Sequence, residues 1–143
     1  MNQDEYTSIM EQTGADLEEL PTKEGWRVMQ QWREVFAAPY HAATRKWKRG
    51  KYEWHIFSFK DTKSVDRKHA MKQYERQSVE RFFVVPEGEH LTAYFCIGGS
   101  LPNFRSLAED IYVWPEDLSW TMAFTHEMEP GLGPYFCLRE WVT

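Results

Sequence analysis

The chain has 143 residues, 42% hydrophobic, 16% aromatic (7 Trp, 7 Tyr and 9 Phe) and 27% charged. This fits one domain over residues 1–143 and excludes a disordered, collagen-like or disulfide-stapled protein. The formal charge is −5 and is unevenly distributed, with a net −6 over residues 1–24, +8 over 25–81 and −7 over 82–143. The negative total argues against a nucleic-acid partner, because nucleic-acid-binding domains are normally basic as a whole.

The N-terminal part of the sequence predicts helices. Apolar residues recur at helical spacing in residues 6–10, which indicates a short amphipathic helix. A clearer helix has Thr22 as its predicted N-cap and ends or kinks at Pro39. Residues 42–48 predict a continuing helix that stops at Gly50. The apolar stripe of the second helix comprises Val28, Trp32, Val35 and Phe36.

The next segment, KYEWHIFSF at residues 51–59, predicts a strand, because aromatic and branched residues dominate it. Both of its faces are apolar, so we expect it to be central in its sheet. Ser64 then caps a predicted helix that runs to about Gln77.

After residue 80 the periodicity is that of strands. A hairpin is predicted around the turn at residues 86–89, and a helical turn at 105–109. Further strands are predicted at 111–115, 119–127 and 134–141. The sequence therefore predicts an α+β fold, with N-terminal helices packed on a mainly antiparallel sheet of about five or six strands.

The C-terminal hairpin contains the candidate catalytic residues. If it closes symmetrically, His126 faces Tyr135, Phe124 faces Cys137 and Trp120 faces Trp141. His126, Glu127 and Cys137 could form a metal site or an acid–base pair, and His55 from the earlier strand could join them. Strand alternation places Glu127 on the opposite face from His126, which favours a structural hydrogen-bonding role for His126.

The sequence predicts no cofactor and no metal framework. Cys96 and Cys137 are far apart and lie in apolar strands, so we expect buried, unreactive thiols. No Walker, G-x-G-x-x-G or G-x-S-x-G pattern is present. No segment has the roughly 20 apolar residues of a membrane-spanning helix, and we expect a cytoplasmic protein.

Two charged segments each allow more than one interpretation. Cations alternate with aromatic residues at positions 45–52, which suits single-stranded nucleic acid, a helix C-terminus or an acidic partner protein. The acidic residues Asp16, Glu18 and Glu19, with Glu11, form either a solvated face or a surface that covers a basic protein such as a nuclease toxin.

Three sequence runs carry a resemblance to a known group of proteins: WHIFSF at 54–59, SWTMAFTHE at 119–127 and GPYF at 133–136. They resemble small bacterial single-domain proteins of unknown function that pair a WHxFS-like strand with an FTHE…GPYF hairpin. The resemblance implies a bacterial origin and an α+β fold and brings no known activity. Some acidic stand-alone bacterial domains of this kind are immunity proteins that neutralise toxins.

These observations favour a non-enzymatic protein-binding domain of the immunity type. The alternatives are a small metal- or His/Glu-dependent enzyme, and a nucleic-acid accessory protein that uses residues 45–52. Exposed aromatic residues would equally suit a homodimer interface. The residues predicted to be accessible for binding are Asp16, Glu18, Glu19, Tyr40, Trp47 and Trp114.

Overall fold

A computed structural model describes residues 2–127 and 133–142, which form a seven-stranded sheet with helices on both faces. The helices are α1 (Asn2–Gln12), α2 (Thr22–Phe36), α3 (Ala38–Thr44), α4 (His55–Ser58) and α5 (Arg67–Glu75), followed by a 3-10 turn at Arg139–Trp141. The strands are β1 (Asp16–Leu20), β2 (Val65–Asp66), β3 (Arg81–Pro86), β4 (Ala93–Ile97), β5 (Ile111–Pro115), β6 (Trp120–Phe124) and β7 (Tyr135–Leu138). Their order is β1-β4-β3-β5-β6-β7-β2, and every neighbouring pair is antiparallel. The α+β prediction is confirmed.

The sheet lies between two apolar layers. On one face, Tyr6 of α1 and Tyr74 of α5 are buried against it, and on the other face Trp32 of α2 and Phe57 of α4 are buried. Every residue of β5 and β6 is buried, because successive side chains point into opposite layers. The two layers therefore account for most of the aromatic content of the chain.

The N-terminal helices are close to their predicted positions. Thr22 is the first residue of α2, and Pro21 occupies the N-cap position. The helix ends at Phe36, and Pro39 lies in the first turn of α3, where its missing N–H costs nothing. Within the described parts of the chain, no helix has the length and apolar character needed to cross a membrane.

The predicted strand at residues 51–59 is wrong. The segment forms turns and the short helix α4; Trp54 and Phe57 are buried as expected, whereas Phe59 is exposed. The backbone N–H of Trp54 donates to the hydroxyl of Tyr112 (2.9 Å), and the N–H of Phe57 donates to the carbonyl of Trp54 (2.9 Å). A hydrogen bond to the sheet and one within the segment thus satisfy backbone N–H groups that would otherwise need a neighbouring strand.

Two strands that the sequence did not predict explain the higher strand count. β1 pairs with β4, and the two-residue β2 pairs with β7, so both lie at the edges of the sheet. β2 takes the place of the predicted helix start near Ser64, and α5 begins at Arg67 and ends at Glu75. The predicted helical turn at residues 105–109 is an irregular loop with turns.

The C-terminal strands pair as predicted, but in a different register. Thr121, rather than Phe124, lies opposite Cys137, and Ala123, rather than His126, lies opposite Tyr135. β6 ends at Phe124 and not at residue 127. The connection to β7 is therefore longer than predicted, and the predicted pairing of His126 with Tyr135 does not form. Of this connection, residues 128–132 lie outside the described part of the chain.

A hydrogen bond between two buried side chains joins α2 to the middle of the sheet. The indole N–H of Trp32 donates to the Thr121 hydroxyl (2.9 Å), which in turn donates to the carbonyl of Val113 (3.2 Å). Both side chains are fully buried. The bond therefore satisfies a donor that has no access to water.

We expect Thr121→Val to lower the free energy of unfolding by about 1–3 kcal/mol, because the Trp32 N–H would be left buried without an acceptor. Urea denaturation measures this loss. The control is the same substitution in a Trp32→Phe background, where no indole donor remains, and there the cost should be smaller. An equal cost in both backgrounds would contradict the assignment.

Candidate functional site

The carboxylate of Asp110, just before β5, organises the surroundings of one predicted catalytic residue. Asp110 Oδ1 accepts hydrogen bonds from the backbone N–H of His126 (3.0 Å) and from the indole N–H of Trp54 (2.8 Å). His126 Nδ1 lies 2.9 and 3.0 Å from the two carboxylate oxygens of Asp110. One carboxylate thus orients the imidazole and joins the segment after β6 to the residue before α4.

Glu127 lies at the other nitrogen of the same imidazole. Its Oε1 is 2.9 Å from His126 Nε2, so the expectation that strand alternation separates His126 from Glu127 is wrong. Residues 125–127 follow the end of β6 and no longer alternate as a strand does. His126 therefore bridges two carboxylates.

His55 lies beside this cluster across an aromatic ring. The ring centroid of Tyr52 is 4.9 Å from that of His126 and 5.5 Å from that of His55. Among the described residues, His55 Nδ1 is buried without a hydrogen-bond partner. A Cβ at Gly50 would come 2.7 Å from this nitrogen, so glycine at position 50 allows the backbone to pass over the ring.

The two histidines have pKa values shifted in opposite directions. Burial lowers the pKa of His55, and the nearby positive charge of His126 contributes to this. Burial also acts to lower the pKa of His126, but the hydrogen bond and charge of Asp110 and the charge of Glu127 outweigh it and raise the pKa. Two histidines whose pKa values are shifted apart suit the roles of general acid and general base.

The ring nitrogens of His126 are not open to a substrate in this arrangement. Both ring nitrogens of His126 face carboxylates, so a substrate would have to displace Glu127. Over residues 2–127 and 133–142, no group of three or more His, Cys, Asp or Glu side chains is placed to hold a metal ion. A catalytic role for His55, His126 and Glu127 stays a prediction.

The two cysteines are free and buried, as expected. Burial raises the pKa of the Cys96 and Cys137 thiols to about 12. A thiol with such a pKa is protonated at neutral pH and is a poor nucleophile.

Lys48 of the basic segment is held by an internal charge network. Its Nζ lies 3.3 Å from Glu87 Oε2 and 4.0 Å from Glu53 Oε2. Glu53 is only 2% exposed and also accepts a hydrogen bond from Arg33 Nε of α2 (3.0 Å). Lys48 is therefore part of the connection between this segment and the body of the protein.

Other members of residues 45–52 also have contacts within the fold. Arg49 Nε lies 3.4 Å from Asp61 Oδ2. The indole of Trp47, a half-buried side chain, stacks on His41 with ring centroids 3.7 Å apart. These contacts support a structural role for the segment over a platform for nucleic-acid bases.

Two of the aromatic residues predicted to be accessible are buried. Trp114 is 1% exposed, because its strand β5 is covered on both faces and its ring packs against Trp32 and Phe83. Tyr40 of α3 is buried in the same layer. The predicted accessibility of Trp114 and Tyr40 is therefore wrong.

The predicted acidic residues do lie at the surface. Asp16, Glu18 and Glu19 are exposed on the edge strand β1, and Glu11 is exposed on α1. Among the described residues, no basic group lies within 4.0 Å of these four carboxylates. Their charges are therefore available to a partner.

One exposed aromatic residue near these acids was missed by the sequence analysis. Trp26 of α2 is 60% exposed, whereas the buried residues of the same helix are Val28, Met29, Trp32 and Phe36. The exposure of Trp26 was predictable from the helical periodicity of α2, because position 26 lies outside the apolar stripe.

Trp26 borders a groove of about 710 Å³ between the end of β1, the start of α2 and the β3–β4 hairpin. Within it, Glu53 and Glu87 are neutralised by Arg33 and Lys48. Two further acids line the groove, Glu19 and Glu89, both exposed. The groove thus combines an exposed indole with net negative charge.

We expect the two histidines to stabilise the fold with opposite pH dependence. Because the His126 pKa is raised on folding, its contribution is complete below about pH 6.5, the value for an unfolded histidine, and is lost as the pH rises through the folded pKa. Because the His55 pKa is lowered, its contribution is present above about pH 6.5 and is lost as the pH falls through the folded pKa.

Urea denaturation of His126→Gln and His55→Gln proteins tests this at about pH 5.5 and about pH 8, on either side of the unfolded pKa. His126→Gln should lose more stability at the lower pH, and His55→Gln more at the higher pH. Losses that change with pH in the same direction for both variants would rule out the opposite shifts.

Comparison with known proteins gives a family but no activity. Residues 5–136 match the family described as Domain of unknown function (DUF4275). Neither the curated proteins nor the solved structures gave a significant match. Since the match covers most of the chain, the protein belongs to the DUF4275 family.

Proposed function

We propose that this protein is a non-enzymatic protein-binding domain that receives a basic segment of its partner in the groove beside Trp26. The observation that carries the proposal is the exposure of this indole, 60% open to solvent at the border of an acidic groove. Large exposed aromatic side chains next to a cavity are typical anchors of protein interfaces.

The charge of the groove indicates the chemistry of the partner. Glu19 and Glu89 line it, and Asp16 and Glu18 are exposed on the same edge strand, β1. Lys and Arg side chains of a segment in this groove would have carboxylates for ion pairs and the Trp26 ring for a cation–π contact. The clustered charge would also accelerate the encounter with a basic protein.

A toxin with a basic active site is the partner class that we favour within this proposal. A nuclease must hold phosphate groups and therefore carries cationic side chains at its catalytic cleft. A domain with an acidic groove and an aromatic anchor would block such a cleft by occupying it. The immunity-type function is thus the specific form of the protein-binding proposal.

Affinity capture with three forms of the full chain tests the proposal. We expect the wild-type protein to retain one basic protein stoichiometrically, and Trp26→Ala to weaken this binding by about 30-fold, as for an interface anchor worth about 2 kcal/mol. Phe59→Ala is the matched control, because Phe59 is 59% exposed but does not line the groove. It should bind as the wild type does.

Binding that is equal for Trp26→Ala and wild type would refute the role of the groove. Light scattering of the purified proteins covers the homodimer alternative: a wild-type dimer that Trp26→Ala converts to a monomer would assign the indole to self-association and overturn the proposal. Thermal unfolding should be unchanged in Trp26→Ala, because the indole is mostly in solvent.

A further inference from the structure

A second cavity, unrelated to the Trp26 groove, opens next to the edge strand β2. It measures about 820 Å³ and lies between Phe57 of α4, the residues 60–67 and the start of β7, with the C-terminal residues 141 and 142 at its side. This volume is within the usual range of about 300–1,000 Å³ for small-molecule sites.

One side of the cavity is a rigid aromatic wall. The rings of Phe57 and Tyr135 are stacked with centroids 6.0 Å apart, and Tyr135 also stacks on Trp54 (5.9 Å). These three side chains are buried in the layer that packs on the sheet. Phe57 is 2% and Tyr135 4% exposed, so only a small part of each ring borders the cavity, and the packing of the rings fixes that part in place.

Another part of the cavity lining is a cationic loop with a buried threonine. Thr62 is buried, and its hydroxyl donates to the carbonyl of Phe36 (2.6 Å) while its N–H donates to the carbonyl of Ile56 (3.0 Å). The side chains of Lys60 and Lys63, on either side of it, are exposed and line the cavity. This threonine thus holds two ammonium groups at the rim.

The acids of the cavity do not cancel these two charges. Asp61 lies 3.4 Å from Arg49, and Asp66 lies 3.9 Å from Arg67, which also lines the cavity. Among the described residues, no carboxylate lies within 4.0 Å of the Lys60 or Lys63 ammonium. The rim is therefore positive.

The position of Lys63 joins the cationic side to an aromatic side chain. Its Nζ lies 5.6 Å from the ring centroid of Trp141, which also lines the cavity. At the other end, the N–H of Arg67 donates to the carbonyl of Pro134 (3.0 Å), which holds the start of α5 beside β7. Positive groups and the half-buried Trp141 indole thus border one concave surface.

From this juxtaposition we infer that the cavity binds a small molecule that carries a phosphate group on a ring-shaped body. Lys60 and Lys63 pair with the phosphate, as ammonium groups do at many phosphate sites. The ring lies against the half-buried Trp141 and the small exposed parts of Phe57 and Tyr135, where contact with the indole and burial of apolar area contribute the remaining affinity. The site uses none of the groove residues around Trp26, so this inference can be tested independently of the protein-binding proposal.

Amide NMR titrations of the full chain with phenyl phosphate, inorganic phosphate and phenol test this inference. Phenyl phosphate should give saturable shifts at residues that line the cavity, with an affinity higher than that of inorganic phosphate, and phenol should give none at the same concentration. Lys60→Gln/Lys63→Gln should weaken phenyl phosphate by about tenfold or more, because two charge-assisted contacts are lost.

The matched control is Lys68→Gln/Lys72→Gln, which removes the same charge from exposed positions of α5 that do not line the cavity. This variant should bind phenyl phosphate as the wild type does. Equal weakening in the two double variants, or no saturable shift at the cavity with either phosphate, would overturn the inference. Equal affinities for phenyl phosphate and inorganic phosphate would overturn the role of the aromatic wall.

Discussion

The double burial of β5 and β6 is the constraint on which the rest of the fold depends. Every residue of these strands is buried, so each strand needs an apolar layer on both sides. The helices on the two faces of the sheet supply these layers. Polar atoms in such an interior must be partnered, and the bond from Trp32 to Thr121 does this at the centre of the sheet.

At one end of the sheet, buried and partly buried polar groups form a hydrogen-bond network. The hydroxyl of Tyr112 donates to Glu87 (2.7 Å) and accepts from the backbone N–H of Trp54. Asp110 accepts from Trp54 and His126, and its carbonyl accepts from the N–H of Glu87 (2.8 Å). Two loops and two strands are therefore tied together, which explains why charged residues near α4 have structural partners.

The sequence was most informative where a strand is covered on both sides. Continuous apolar runs at 111–115 and 120–124 do form strands. The run at 51–59 is also rich in aromatic and branched residues but forms turns and the short helix α4. Its Trp54 is hydrogen-bonded to Tyr112 and Asp110, and neither partner can be identified from local periodicity. β1 is polar and becomes a strand only through its pairing with β4.

For the candidate sites too, the sequence predicts properties of single residues but not contacts between distant segments. The exposure of Asp16, Glu18 and Glu19 follows from their polarity and was predictable. The hydrogen bond between Asp110 and His126 depends on where β6 ends. The predicted register of the C-terminal hairpin differs from the observed one, so every cross-strand contact predicted for it was displaced. The cavity beside Tyr135 depends on β2, which is only two residues long and pairs with β7.

The acidity of β1 has a consequence for how copies of this chain behave in solution. An edge strand can add a strand from another molecule, and this is how sheets grow into aggregates. Two copies that met along β1 would place their strands about 4.8 Å apart, with Asp16 and Glu18 of both copies on one face and Glu19 of both copies on the other. Like-charge repulsion opposes that approach, so these three residues protect the open edge of the sheet against self-assembly while leaving it open to a cationic segment.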